Sequence, residues 1–479
     1  MAGRAAVLLV ALAAAALATP LYAQNAPIAN RTLHPIGAMT NSIASNQSPP
    51  QTSATAATAA SANLGSPGAI ETIEQLPGLP LTGQITFRQF MDQVQSANLA
   101  LAAERYNIPI ARAQLTAASV YPDPTFQAGY GGDLSGNRQV TTYAGGLNQT
   151  VLLGGKIGAR EDAASASLQA NDAQVGEFLR ALRGRAADSF IDGVIEVLKL
   201  HRQLKAVVRA RQLVEMNNKR LQQGQVSEDE VIRARIGQFE AENDLFKAES
   251  ALHQTLGGMA VFEGLSGSVG LVEPVGNLER PPRTFSLQEL VDRAVNSRGD
   301  VVAADYVLEN ARANYRLAQA NRIPNLTLSG NYQHFTRITN PIDPAPAWDG
   351  AAFSLSIPIP LSDLNTGALQ TAYYQQRQAE AILQAAKLQA EADVRTAYEQ
   401  YALSVNAVQH FAAELFLDAD QAYQSRLFKM EKGSVSLVEV LDAHQALNQL
   451  YLDYYDALSR RAKALVALEQ SAGIWDVDF

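Results

Sequence analysis

The chain repeats itself, and the repeat limits its fold more than any other feature. Phe87–Asp92 returns as Leu287–Asp292, and Ala111–Gln114 returns as Ala311–Asn314, both 200 positions later. Tyr121–Phe126 returns as Ile323–Leu328 at an offset of 202, and Gly224–Val231 as Gly433–Val440 at 209. Anchors kept in one order with slowly growing offsets mark two diverged copies of one unit. The copies span residues 85–260 and 285–475.

Each copy reads helix, strand pair, long helix, turn, helix. The opening helices are expected over Thr86–Ser119 and Ser286–Asn321, each stopped near a proline. The long arms run from about Lys156 to Gln222 and from about Thr366 to Met430, with hardly a break. At 1.5 Å per residue an arm reaches about 100 Å, and the two shorter helices of each copy, end to end, match it. The apolar seam of the first arm steps through Val175, Leu179, Leu182 and Ala186. After an extra four-residue stutter it resumes at Phe190, Val194, Val197, His201, Leu204 and Val208. In the last helix Leu437, Leu441, His444, Asn448, Tyr451, Tyr455, Leu458, Ala462 and Leu465 keep a 4-3 step throughout. The fold class is therefore mainly α with a small β part, its helices in long antiparallel coiled-coil hairpins.

The strands alternate. Leu326, Leu328 and Tyr332 interleave with Thr327, Ser329, Asn331 and Gln333, and Phe353, Leu355, Ile357 and Ile359 with Ser354 and Ser356. Phe126, Ala128 and Tyr130, then Tyr143, Gly145 and Leu147, show a weaker form in copy one. Aromatics (Tyr130, Tyr143, Tyr332, Phe335, Trp348, Phe353) lie near the strand ends, as in outer-membrane barrels. Four strands cannot close a barrel, so a membrane role requires several chains to pool them. The other reading is a soluble β-cap on a non-pore periplasmic coiled coil.

The start of the chain reads as an export signal. Arg4 precedes a small-apolar run, Ala5 to Ala18, and Ala23 ends a cleavage pattern, giving a signal peptide at 1–23. Residues 24–80, rich in Ala, Ser, Thr and Pro, read as a disordered lead-in. With no cysteine there is no thiolate metal site and no acylated N-terminal cysteine. A net charge of −9 argues against nucleic acid as a partner. His34, His201, His253, His334, His410 and His444 include no i,i+4 pair, so no metal or other cofactor is expected. No nucleophile–base set emerges, so no catalytic residue is assigned and no enzyme is expected.

Residues 85–475 resemble the TolC-like outer-membrane efflux proteins. Three stretches carry the likeness: the entry to the first strand at Tyr121–Phe126, the strand-to-arm junction at Leu147–Lys156, and the paired Gly-x-Val-Ser turns. The Gly154-Gly155-Lys156 junction is most similar to the heavy-metal (CzcC-like) branch. The resemblance implies a homotrimer with a twelve-stranded barrel in outer-membrane lipid and a helical periplasmic tunnel. Such a duct serves a periplasmic adaptor and an inner-membrane efflux pump, most often of RND type. It places adaptor docking at the turns Gly224, Val226, Ser227 and Gly433, Val435, Ser436.

The remaining candidates lie beside those turns. Glu439 and Asp442, three apart on one helix face, suit the positive end of a helix dipole as ordinary solvated acids. The resemblance instead makes them a pore aperture, with Glu230 as the copy-one counterpart and Arg233 in place of the second acid, so the gate is expected mainly at the second tip. Met430 and Val435 stand where the family often has a locking aromatic and base. Ser227 with Glu230, and Ser436 with Glu439, are expected as capping boxes. Gly154-Gly155-Lys156 lacks the spacing of a phosphate loop. Its glycines are expected to swivel the chain from strand into helix, with Pro358 and Pro360 doing so in copy two.

Overall fold

A computed structural model describes residues 83–132, 141–266, 272–338, 344–360 and 364–479. All of them lie in the second of two units, Gly65–Phe479. The expected signal (1–23) and lead-in (24–80) lie outside the described residues. The first repeat comprises β1 (Gln84–Thr86), α1 (Phe87–Ala97), α2 (Leu99–Arg105), α3 (Asn107–Ala118), β2 (Thr125–Gly132), β3 (Thr141–Val151), α4 (Lys156–Gln222) and α5 (Glu228–Phe262). The second comprises β4 (Glu273–Val275), α6 (Leu287–Ser297), α7 (Gly299–Ala320), β5 (Leu326–Phe335), β6 (Trp348–Ser356), α8 (Thr366–Gln409), α9 (Ala413–Glu431) and α10 (Leu437–Ser471).

The first arm is unbroken over 67 residues; three other expectations need correction. Both opening helices break, at Asn98 and at Arg298, where ψ swings to 118° and 137°. Asn98 then caps α2, its side chain accepting from Leu101 N at 3.0 Å. The second arm ends at Gln409 and restarts at Ala413, with Ala412 extended at ψ 142°. The break turns Phe411 and Phe416 toward Tyr454, at ring distances of 5.6 and 5.2 Å. Burial of aromatic surface wins there over helix continuity. The seam of α4 also rotates: between Leu200 and Leu213 the buried residues are Arg202, Gln203, Ala206, Val207 and Ala210, while Val208 is 53% exposed.

The helices form a layer with α4 inside it. On the strand side α4 packs between α3 and α7, with α8 beyond α7; toward the turns it packs between α5 and α10, with α9 beyond α10. The largest core cluster forms a belt where Phe87, Phe90, Phe190, Leu200, Leu252 and Leu458 meet. Phe87 meets Phe190 and Phe479 edge-on at 5.3 and 5.1 Å. A short parallel pair, β1 with β4, closes over this belt. A smaller cluster around Leu213, Tyr423, Met430, Leu437 and Val440 holds the turn end together.

Candidate functional site

The four longer strands form one antiparallel sheet in the order β2-β3-β5-β6. Register decides which side chains share a face, because directly paired residues point the same way. Phe126 pairs with Leu147, Tyr130 with Tyr143, Leu328 with Leu355, and Gly330 with Phe353. One face is thus largely apolar, interrupted by Gln149 and by the His334–Asp349 pair, and it is open: Phe126, Tyr130 and Phe353 are 71%, 73% and 89% exposed. The other face carries Gln127, Thr150, Ser329, Asn331, Gln333 and Ser354. The expected aromatic group divides across this sheet. Tyr130, Tyr143, Tyr332 and Phe353 stay on the apolar face, whereas Phe335 and Trp348 pair on the polar one. Among the described residues, strands β2 and β6 have one neighbour each, leaving an open edge on both sides.

The strand-to-arm junctions use left-handed backbone at matching places. Gly154 and Gly155 have φ of 74° and 69°, and Asn365, which precedes α8 as Gly155 precedes α4, has φ 61°. Asn365 therefore does the swivelling assigned above to Pro358 and Pro360. Those prolines follow the end of β6 at Ser356, where a missing N–H stops the ladder. Ile357 and Ile359 consequently lie beyond the strand. At the first junction Lys156 donates to Asn325 Oδ1 at 2.5 Å, tying the arm to the entry of β5.

The turns are the same device twice. Gly224 and Gly433 are left-handed at φ 70° and 75°. Gln225 N donates to Arg220 O, and Ser434 N to Lys429 O, at 2.9 and 3.0 Å, completing Schellman turns. Ser436 caps α10, accepting from Glu439 N at 3.4 Å and donating to Glu439 Oε1 at 3.2 Å. Ser227 makes no side-chain cap, so the expected box is absent there; Glu230 N reaches its carbonyl instead, at 3.2 Å. Glu439 and Asp442 are exposed and Glu230 is half-buried. Glu228 and Asp229, which sequence reasoning left out, stand in the first turn of α5 beside Glu230. The first tip is therefore not poorer in carboxylates than the second.

Met430 is fully buried and Val435 packs beside it, so neither occupies a polar lock. At the tip itself Lys432 lies 5.5 Å over Phe428, and a second aromatic–basic contact lies two turns back from Met430, where Arg209 sits 5.1 Å over Tyr423 and 3.4 Å from Asp420. It belongs to a polar ladder joining α4 to α9 and α10. Lys463 meets Asp192 at 2.6 Å, Lys199 meets Asp456 at 2.9 Å, and Arg202 donates to Asn448 at 3.0 Å while lying 4.1 Å over Tyr451. His444 is buried in this seam, its ring 5.6 Å from Tyr423 and its Nε2 without a partner. Burial, and then the nearby Arg209 and Arg202, push its pKa down to about 4. The polar 4-3 positions hinted at this ladder, but Arg202 and Arg209 lie off the seam read from sequence.

Comparison with known proteins completes the picture. Residues 290–474 match the model of the family described as Outer membrane efflux protein. That match lies within the second repeat. Outside the outer membrane efflux match, the likeness extends over the first repeat as well. The cobalt-zinc-cadmium resistance protein CzcC of Cupriavidus metallidurans is 22% identical over 391 residues, 82% of this chain and 90% of that protein. Among solved structures, CusC superposes with a TM-score of 0.66 at 18% identity, covering 84% of this chain and 99% of CusC. The open state of the Neisseria gonorrhoeae MtrE outer membrane channel superposes at 0.62 and 18% identity, covering 81% of this chain and 88% of that one. These likenesses establish a TolC-like fold for this chain.

Proposed function

We propose that this chain is one third of an outer-membrane exit duct, passing substrates from an inner-membrane pump and a periplasmic adaptor to the exterior. The observation that carries this reading is the four-stranded sheet, with an exposed apolar face, a polar face and two open edges. An edge strand needs a partner that lipid cannot supply. Strand β6 runs opposite to β2, so joining the β6 edge of one copy to the β2 edge of the next continues the antiparallel pattern. Three copies give twelve strands. The helical layer has matching unsatisfied sides, with Phe239 and Phe246 on α5 71% and 65% exposed, and Leu403 on α8 and Phe428 on α9 69% and 60% exposed.

In this reading the helices form the periplasmic tunnel. The turns at Gly224, Val226, Ser227 and Gly433, Val435, Ser436 meet the adaptor, and Glu439, Asp442 and Glu230 line an acidic aperture. An RND-type pump supplies the energy and the duct hydrolyses nothing. The name of the cobalt-zinc-cadmium resistance relative supports divalent cations as cargo, to which clustered carboxylates are suited. Purified protein reconstituted in a planar bilayer tests the proposal: cation-selective conductance supports it, and a water-soluble, non-conducting product would refute it.

A further inference from the structure

The polar face of the sheet is polar everywhere but at one level. By register, every inward position of the four strands is Gly, Ala, Ser, Thr, Asn or Gln, except Phe335 and Trp348. These two are directly opposed across β5 and β6, and their rings stack at 4.0 Å with planes 11° apart. They lie at the end of the hairpin remote from the helices, eight register steps from the Thr327–Ser356 pair. At about 3.4 Å per step that is roughly 27 Å along the strand. The ladder continues beyond them through the Ile338–Ala345 bridge, so the stack sits inside the wall.

Two features argue that this is a built site. Gly350, two residues along on the same face, leaves room for the indole: a Cβ there would meet Trp348 Cζ3 at 3.0 Å. Trp348 is also 52% exposed, so its stack with Phe335 leaves much of the indole open to a further ring. Neither residue extends the band of aromatics that would face lipid, because Tyr130, Tyr143 and Tyr332 occupy the opposite face.

We propose that Phe335 and Trp348 form an aromatic collar just inside the outer mouth of the duct, where planar aromatic solutes, a second class of cargo beside divalent cations, stack as they leave. This rests on the duct reading. An eight-stranded barrel is filled by its side chains, whereas porins of sixteen strands or more are open. Twelve strands fall between, so inward side-chain size sets the bore. Small residues keep this bore wide, and three stacked pairs narrow it at one level. A planar cation gains both ring stacking and attraction to the indole face.

The test uses the full-length protein. The chain has two tryptophans, so Trp475→Phe leaves Trp348 as sole reporter. Its fluorescence should be quenched by aqueous iodide and not by brominated lipid; the reverse would place the indole in lipid and overturn the collar. In planar bilayers, proflavine should block the wild-type channel, tetraethylammonium should block it far less, and Phe335→Ala with Trp348→Ala should weaken proflavine block about tenfold, as loss of a stacking contact does. Equal proflavine block in the double variant would overturn the collar while leaving the duct intact. A wild-type protein that forms no channel would overturn the duct reading and the collar with it.

Discussion

Asn98 and Arg298 hold the same backbone conformation at the same place in the two repeats, at φ −66° in both, by unlike chemistry. Asn98 caps the next helix and donates to Phe262 O at 3.1 Å, crossing to the end of the first repeat. Arg298, 3% exposed, reaches Asp300 at 2.6 Å and Asp393 at 2.9 Å, crossing to α8. In each repeat the break stitches an opening helix to a later one.

The two breaks should therefore respond differently to truncation. Asn98→Ala removes one cap and one cross-link, at a cost of about 1–2 kcal/mol. Arg298→Ala leaves two carboxylates facing each other without a counter-charge, and is expected to cost roughly 2–4 kcal/mol. Thermal unfolding of the two variants, measured side by side, checks the order.

Much of this was legible in the sequence. The repeat offsets place both breaks in register, and the arm from Lys156 to Gln222 ends where read, because a Schellman glycine is a local signal. Alternation located the strands but not which aromatic faces which way, since Phe335 and Trp348 follow from register. The break at 410–412 has no proline or glycine and depends on where Phe411 and Phe416 find Tyr454, a tertiary effect invisible to propensity. The polar ladder was missed because the buried face of α4 drifts beyond Val197 to Arg202, Ala206 and Ala210, off the 4-3 seam that resumes after the stutter.

The turns test the backbone argument. At φ 75° and 70°, Gly433→Ala and Gly224→Ala are strained whatever the space around them. Each is expected to cost about 1 kcal/mol, with Gly433→Asn costing less because asparagine tolerates the left-handed region. Hydrogen exchange at the tips should report the loss locally.

The buried His444 makes the seam pH-sensitive. Its folded pKa of about 4 lies below the ordinary 6.5, so the unfolded chain takes up a proton first as pH falls. Stability is full above pH 6.5 and declines as pH falls toward 4, by up to roughly 3 kcal/mol. Arg209 and Arg202 face the same group and oppose its charging. Amide protection factors in α10 around residue 444, which remove the intrinsic pH dependence of exchange, should fall between pH 7 and 5, and His444→Phe should flatten that fall.

The proposed acidic aperture has its own test. Glu439→Gln with Asp442→Asn should lower cation selectivity and divalent block, and adding Glu230→Gln should lower them further. Reversal potentials measured in a salt gradient would be unchanged if these carboxylates are only a solvated helix end.

The central claim is that β2 of one chain pairs with β6 of another. The native chain has no cysteine, so introduced pairs report without background. With Gln127→Cys fixed in β2, cysteine scanned singly through Ala351–Ser354 in β6 should, at one register, give a disulfide-linked trimer and nothing larger. Monomer alone at every position scanned would contradict the shared barrel.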